Sequence, residues 1–216
     1  MLKTVIISDT HNMLNQISTN IPEGDVLIHC GDWTLSGAEN EMVTFRRHLR
    51  PLEDKFKHIL LVAGNHDQWA ELNPQLAKKL FDNDKIKYLK DEAIVIDGVK
   101  FYGSPWVPYI GPNWAFQFPR NDVYKEADAV WSGIPDDTQV LITHAPPRSI
   151  MDNQERHYGC PYLLMRLYGL HQLKYHLFGH IHSDYGQMER NGVRFINAAT
   201  CTEEYEPLNP PVLIHF

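Results

Sequence analysis

Residues 60–67 read Leu-Leu-Val-Ala-Gly-Asn-His-Asp, an apolar run that breaks at a glycine into three side chains able to bind metal or move protons. Short apolar runs of this kind are typical of buried parallel strands. Open α/β sheets build their sites at the edge where the carboxyl ends of such strands lie. The stretch therefore predicts a strand that carries Asn65, His66 and Asp67 to that edge.

Four other predicted strands end in the same way. They cover residues 4–8, 25–30, 140–143 and 175–178. In extended backbone, residues two apart project to the same side, so one ion can contact both members of such a pair. The polar residues that follow the strands are, in order, Asp9 and His11, Asp32, His144, and His180 and His182.

Helical patterns separate the first strands. Residues 39–56 carry apolar side chains at steps of three and four, which predicts an amphipathic helix with a break near Pro51. Asn73 followed by Pro74 is typical of a helix start, and we expect Leu76 and Leu80 to face inward from that helix. Alternating strands and helices indicate an α/β domain.

Two hairpins change the pattern after residue 90. Asp97-Gly98 and Asn191-Gly192 each join two strand-like runs, and both dipeptides favour a type I′ turn. A further strand is predicted at residues 212–216. Because these strands exceed what one short parallel sheet needs, we expect two packed sheets with helices outside.

Composition limits the class of protein. The chain has 216 residues, with 43% hydrophobic and 22% charged residues, and no internal repeat is detectable, so we expect one domain over residues 1–216. The net charge of -7 gives no basic footprint for long nucleic acid. The apolar start of the chain is too short for a signal peptide or membrane span, which predicts a cytoplasmic protein without membrane contact. Cys30, Cys160 and Cys201 lack paired spacing and are expected to be buried reduced thiols.

The collected strand ends offer carboxylates, imidazoles and one amide, and no thiolate. Such nitrogen and oxygen donors suit manganese, iron, zinc or nickel. Seven ligands are too many for one ion, and they divide between two ions about 4 Å apart that share one carboxylate. Two such ions make hydroxide available near neutral pH for in-line attack on phosphorus. His66, beside Asp67, is the candidate for protonating the leaving oxygen.

Five motifs carry a resemblance to a known family: Asp9-x-His11, Gly31-Asp32, Gly64-Asn65-His66-Asp67, His144 and Gly179-His180-x-His182. In this order they resemble the calcineurin-like metallophosphoesterase superfamily, over nearly the whole chain. The resemblance implies a four-layer αββα sandwich of two mixed β-sheets flanked by helices, with a binuclear metal centre. It implies one ion on Asp9, His11 and His182, and another on Asn65, His144 and His180, with Asp32 bridging. Asn65 and His66 would also contact the substrate phosphate, and we expect Asp67 to orient His66.

Further segments narrow the resemblance. Residues 102–106, 114–116, 119–120, 144–147, 197–201 and 209–211 resemble the metallophosphoesterase-domain-containing subfamily, which is similar to class III cyclic-nucleotide phosphodiesterases. Some animal members have a glycine in place of one histidine of the last motif, which weakens metal binding. Because His180 and His182 are both present here, full metal occupancy is expected.

An aromatic stretch interrupted by proline and glycine indicates a loop over residues 104–120. Its rings form either a satellite hydrophobic cluster or a wall on which a nucleobase stacks. Trp33, directly after Asp32, has the same two interpretations. The rings of the loop are Trp106, Tyr109, Trp114, Phe116 and Phe118.

These observations predict a phosphodiesterase that hydrolyses a small cyclic nucleotide or a related phosphodiester by attack of a metal-bridging hydroxide. Two divalent ions are expected as cofactors; Mn²⁺ is favoured, and Fe, Zn, Ni and Mg²⁺ remain alternatives. A phosphomonoesterase or phosphoprotein phosphatase would use the same metal centre. A non-catalytic binding scaffold is less favoured because no ligand is missing. The sequence leaves the natural substrate and the oligomeric state open.

Overall fold

Strands and helices alternate along most of the chain in the structure, a computed structural model that describes residues 1–120 and 123–216. The helices are α1 Leu14–Ile17, α2 Glu39–Glu53, α3 Gln68–Leu72, α4 Pro74–Phe81, α5 Val123–Ser132 and α6 Pro161–Leu167. The strands are β1 Lys3–Ile7, β2 Val26–His29, β3 His58–Leu61, β4 Ile86–Tyr88, β5 Glu92–Ile96, β6 Val99–Ser104, β7 Val140–Thr143, β8 Tyr175–Phe178, β9 Gly186–Arg190, β10 Val193–Asn197 and β11 Val212–His215.

Within the described residues, the strands form two mixed sheets. The first has five strands in the order β11-β1-β2-β3-β4 and is parallel except for β11. The second has six strands in the order β5-β6-β7-β8-β10-β9, with antiparallel strands at its two edges. The expectation of two mixed sheets is confirmed.

Alternate residues of each strand face different layers. In β1, Ile6 joins the core between the sheets, whereas Val5 and Ile7 pack with residues of α1 and α2. In β7, Ile142 joins the same central core and Leu141 packs with α5 and α6. Because successive strand side chains point to opposite faces, the central strands of both sheets are buried on both sides, whereas the edge strands β5 and β9 are largely exposed. The result is the predicted helix–sheet–sheet–helix sandwich.

The two hairpins have the predicted turns. The central residues have positive φ in both: 49° and 80° at Asp97 and Gly98, and 54° and 76° at Asn191 and Gly192. Positive φ at both central residues is the requirement of a type I′ turn, whose twist matches that of the strands it joins. Each turn therefore connects an edge strand to its sheet as the sequence indicates.

Two expectations about helices were wrong. Helix α2 continues through Pro51 without a break, because its apolar stripe is packed on the first sheet. In α4, Leu80 is partly buried as predicted, but Leu76 is 52% exposed and the buried positions are Ala77 and Phe81. None of the helices in the described part of the chain has the length and apolar character needed to cross a bilayer.

Two groups of side chains prove to be core residues. The Trp33 ring is fully buried and stacks on Phe45, with 5.3 Å between ring centroids. Trp33 is therefore part of the core and not a surface for substrate. Cys30, Cys160 and Cys201 are buried and free, as predicted.

Candidate metal centre

Seven side chains at the ends of five strands converge at one edge of the sandwich. Backbone hydrogen bonds join the loops there: Asp9 N–H donates to the Gly31 carbonyl at 2.9 Å, and Gly179 N–H donates to the His144 carbonyl at 3.0 Å. The second bond links the loops that follow β7 and β8. The seven are Asp9, His11, Asp32, Asn65, His144, His180 and His182, the residues that the sequence selects as ligands.

The first group consists of Asp9, His11 and His182. Their ligand atoms all lie within 4.8 Å of one another. Nε2 of His182 is 3.3 Å from Nε2 of His11 and 3.4 Å from Oδ1 of Asp9. Three donors that converge this closely can hold one cation.

The second group consists of Asp32, His144 and His180. Nε2 of His144 lies 3.3 Å from Oδ2 of Asp32 and 2.9 Å from Oδ1 of Asn65. Oδ2 of Asp32 is also 3.9 Å from Nε2 of His11, which belongs to the first group. Asp32 therefore lies between the two groups, where a shared ligand has to be.

The outer nitrogens of four imidazole rings bond to backbone carbonyls. A carbonyl only accepts, so each Nδ1 carries the proton and each Nε2 of a neutral ring points a lone pair inward. Two lone pairs facing each other at 3.3 Å, as in His11 and His182, repel unless a proton or a cation lies between them. This donor set fits a pair of divalent cations. The bonds run from His11 to Thr34 at 3.1 Å, His66 to Leu35 at 2.6 Å, His144 to Cys30 at 2.9 Å and His182 to Thr202 at 2.8 Å.

The charges of the centre stabilise one another. Burial alone would raise the pKa of Asp9, but the hydrogen bond to His182 and the charge of His144 hold that pKa well below its usual range. Burial would also raise the pKa of Asp32, but the charge and hydrogen bond of His144, together with the charges of His66 and His11, outweigh burial and hold that pKa well below its usual range. Despite burial, Asp32 raises the pKa of His144 to about 9 and Asp9 raises that of His182 to about 9. Burial, and to a smaller extent the charge of His144, lowers the pKa of His180 to about 3. Two buried carboxylates thus favour positive charge beside them, as a cation site requires.

The backbone of the centre is strained. Four of the polar residues have positive φ: 51° at Asp9, 38° at His11, 55° at Asp32 and 68° at His180. This region is uncommon for residues other than glycine and is held only when the surrounding contacts impose it. The strain directs side chains from tight loops toward one point.

Three glycines leave room for the polar side chains. A Cβ on Gly179 would lie within 3.0 Å of Oδ2 of Asp9, and one on Gly64 would lie within 3.0 Å of Oδ1 of Asp32. A Cβ on Gly31 would overlap the His144 ring. The sequence indicates Gly31 as a turn residue, but these close approaches are visible only in the fold.

Asp67 has a different set of contacts from the one expected. Its carboxylate accepts hydrogen bonds from N–H of Trp33 at 3.3 Å, from N–H and Oγ1 of Thr34 at 3.1 and 2.8 Å, and from N–H of Gly64 at 2.8 Å. Burial and the charge of Asp32 raise its pKa to about 7. The Leu35 carbonyl bonds to Nδ1 of the His66 ring, so the orientation of His66 that we expected from Asp67 is indirect. Asp67 instead braces the turn that carries Asp32 and Leu35.

The site opens into a cavity of about 320 Å³. The His66 ring lies 4.6 Å from the Trp114 ring and 6.4 Å from the Tyr205 ring, centroid to centroid. None of the described residues that line this cavity is lysine or arginine.

Tyr205 was missed from the sequence because it lies far along the chain in an acidic turn without a motif. The aromatic loop was expected to form either a hydrophobic cluster or a wall of the substrate site, and its rings do both. Phe116 and Phe118 are buried in the cores, whereas Trp114 lines the cavity.

A sandwich of two mixed sheets with clustered aspartate, histidine and asparagine at its edge defines the class of metal-dependent phosphoester hydrolases. The sequence model described as calcineurin-like phosphoesterase matches residues 2–184. The chain belongs to this calcineurin-like phosphoesterase family, whose members have a binuclear divalent metal centre.

Individual relatives agree with this assignment. A UPF0046 protein of Caenorhabditis elegans is 36% identical over 99% of this chain and 75% of its own. Metallophosphoesterase domain-containing protein 1 of Homo sapiens is 35% identical over 97% of this chain and 69% of its own. One solved crystal structure, 15% identical, covers 100% of both chains with a TM-score of 0.71 and shares the fold.

Proposed function

We propose that this protein is a manganese-dependent phosphodiesterase that hydrolyses a small nucleotide or a related phosphodiester. The observation that carries the proposal is the position of Asp32. Its Oδ2 lies between the two groups of ligands and 3.9 Å from Nε2 of His66. A phosphoryl group bound at both groups is thus within reach of an imidazole that can protonate the leaving oxygen.

The chain's residues have separate tasks in this reaction. When bound, two divalent cations lower the pKa of a water and neutralise the charge of the phosphoryl group. Asp9, His11 and His182 would hold one cation, and Asn65, His144 and His180 would hold the other, with Asp32 shared. Asn65 and His66 line the cavity and are placed to contact the phosphate.

His66 is the proposed proton donor. In the protonated ring, Nδ1–H stays on the Leu35 carbonyl, 2.6 Å away, and Nε2–H is free to move to the leaving alkoxide. Oδ2 of Asp32 lies 3.9 Å from Nε2 of His66. Asp67 holds the Thr34 turn and so supports the position of Leu35.

The cavity wall supports a nucleotide as substrate. Trp114 and Tyr205 both line the cavity near His66 and offer flat aromatic surfaces. A nucleobase that stacks on such a ring gains about 1–3 kcal/mol. Without lysine or arginine among its described lining residues, the cavity suits a diester with one negative charge better than a monoester with two.

We expect His66→Ala to lower kcat for a diester with an alkyl leaving group by about 10²-fold, since general acid catalysis is lost. The loss should shrink for p-nitrophenolate, which leaves without a proton. Rates on methyl p-nitrophenyl phosphate and on a dialkyl phosphate, with manganese bound per chain, measure both effects. An equal loss on both substrates together with loss of manganese would show that His66 is a ligand and not the acid.

The preference for diesters has a direct test. We expect the manganese-loaded chain to have a higher kcat/KM for bis(p-nitrophenyl) phosphate than for p-nitrophenyl phosphate, because no lysine or arginine is among the described residues that line the cavity to bind the second charge. A higher kcat/KM for the monoester would favour a phosphomonoesterase or phosphoprotein phosphatase. Activity on neither ester with two manganese ions bound would contradict the proposed function.

A further inference from the structure

A second cavity, which we call the side cavity, lies beside the metal centre. It has a volume of about 410 Å³. Its walls come from the aromatic loop, from the loop before α6 and from the residues after β8. They are Pro108, Tyr109, Ile110, Tyr158, His180 and Ile181.

The walls of the side cavity are mostly apolar and partly exposed; the Arg120 guanidinium lies 5.9 Å from the Tyr109 ring centroid, and Nη1 of Arg156 donates to the Tyr158 hydroxyl at 3.0 Å. Tyr109 is 40% exposed, Ile110 is 43% exposed and Tyr158 is 44% exposed. No carboxylate, lysine or arginine is among the described residues that line it. Large side chains that leave this much surface open in a concave site favour an uncharged ligand.

Hydrogen bonds hold the walls in place before a ligand binds. Oε1 of Gln117 accepts from N–H of Ile110 at 2.9 Å, and Nε2 of Gln117 donates to the Gly111 carbonyl at 2.7 Å. On the opposite wall, N–H of Tyr158 donates to the Asp152 carbonyl at 2.9 Å. A preformed cavity of this kind binds at little cost in conformational entropy.

The side cavity adjoins the cavity of about 320 Å³ at the metal centre, which we call the central cavity, and the two share four lining residues. Ile110, Tyr158, His180 and Ile181 line both cavities. His66, with Trp114 and Tyr205 beside it, lines the central cavity but not the side cavity. The two ester groups of a phosphate bound at the metal centre can therefore extend in two directions, one toward His66 in the central cavity and one past His180 into the side cavity.

We propose that the side cavity binds the second ester group of a linear phosphodiester, and that this group is flat and uncharged, such as a nucleobase or an aryl ring. The proposal rests on the proposed function and narrows its substrate class. The leaving group lies toward His66, which donates the proton, and the retained group lies past His180. A phosphomonoester has no second group, and a cyclic nucleotide carries a single base that fills one direction. Linear diesters with two flat groups are thus the substrates that use both cavities.

The test compares phenyl p-nitrophenyl phosphate with methyl p-nitrophenyl phosphate on the manganese-loaded full chain. Both have the same leaving group and differ only in the retained one. We expect the ratio of their kcat/KM values, phenyl over methyl, to fall about tenfold in Tyr109→Ala, at a residue that lines the side cavity and not the central one, and in Tyr158→Ala, because apolar contact with the ring is lost. Tyr168→Ala is the control, since Tyr168 is 62% exposed and lines neither cavity, and its ratio should stay that of the wild type.

Calorimetric titration gives a second measurement that does not need turnover. Diphenyl phosphate should bind the manganese-loaded wild type about tenfold more tightly than dimethyl phosphate, and this difference should disappear in both variants. An unchanged ratio and an unchanged affinity difference in both variants would overturn the side-cavity proposal alone. Hydrolysis of neither diester by the wild type would overturn the proposed function, while the titration would still decide on the cavity.

Discussion

Replacing Asp32 by asparagine is expected to lower kcat for bis(p-nitrophenyl) phosphate by about 10³-fold or more. Oδ2 of Asp32 lies 3.3 Å from Nε2 of His144 and 3.9 Å from Nε2 of both His11 and His66. Of the described carboxylates, Asp32 alone converges with two sets of imidazoles, one of His144 and His180 and one of His11 and His66. A neutral amide removes the charge that two cations would share, so both ligand groups are weakened by one substitution.

The fold should survive this change. Oδ1 of Asp32 accepts the backbone N–H of His66 at 2.8 Å, and the amide oxygen of asparagine can accept the same bond. Manganese bound per chain, measured by atomic absorption, should drop below two while the circular dichroism spectrum is retained. The matched control is Asp136→Asn, an exposed aspartate that pairs with Arg166 on the surface. Wild-type turnover in Asp32→Asn would contradict the shared-ligand role.

Gly179→Ala is expected to abolish activity and to lower the free energy of unfolding by about 1–3 kcal/mol. The added Cβ would lie within 3.0 Å of Oδ2 of Asp9 and of Oγ of Ser8, both buried. The Asp9 carboxylate has no room to retreat, since both its oxygens also accept the backbone N–H of His180, at 3.1 and 3.0 Å. Either Asp9 or the loop after β8 must move, and the ligand group of Asp9, His11 and His182 is broken.

The cause of this loss is steric. The matched control is Gly111→Ala, whose Cβ would meet nothing nearer than 3.9 Å. Urea unfolding and manganese titration of both variants separate the effects on stability and on the metal centre. If Gly179→Ala bound two manganese ions with wild-type affinity, the close packing around Asp9 would not be what positions it.

Much of this molecule follows from local sequence. The Asp97-Gly98 and Asn191-Gly192 turns were predicted correctly because positive φ at two successive residues leaves few sequences that can form them. The prediction that the polar residues after the strands lie together was also correct, because parallel strands bring their carboxyl ends to one edge of the sheet. Neither inference needs knowledge of how the layers pack.

Other expectations failed where a choice depended on the partner across the core. Leu76 and Phe81 are both apolar, and only the packing of α4 decides that Phe81 is buried while Leu76 is exposed. Asp67 follows His66 directly in the chain, yet its carboxylate turns to Trp33 and Thr34, which the fold brings beside it. Adjacency in sequence does not determine which hydrogen-bond donors a side chain meets.

By itself, the sequence determined the strands other than β4, the two hairpin turns and the residue types at the edge, because backbone preference and apolar periodicity act over a few residues. Only the tertiary structure decided which nitrogen of each imidazole faces inward, since the carbonyls of Thr34, Leu35, Cys30 and Thr202 come from distant loops. The packing of three loops likewise decided that Tyr205 and Tyr158 line the cavities. Contacts between segments far apart in the chain depend on the shape of the packed layers, which local patterns do not encode.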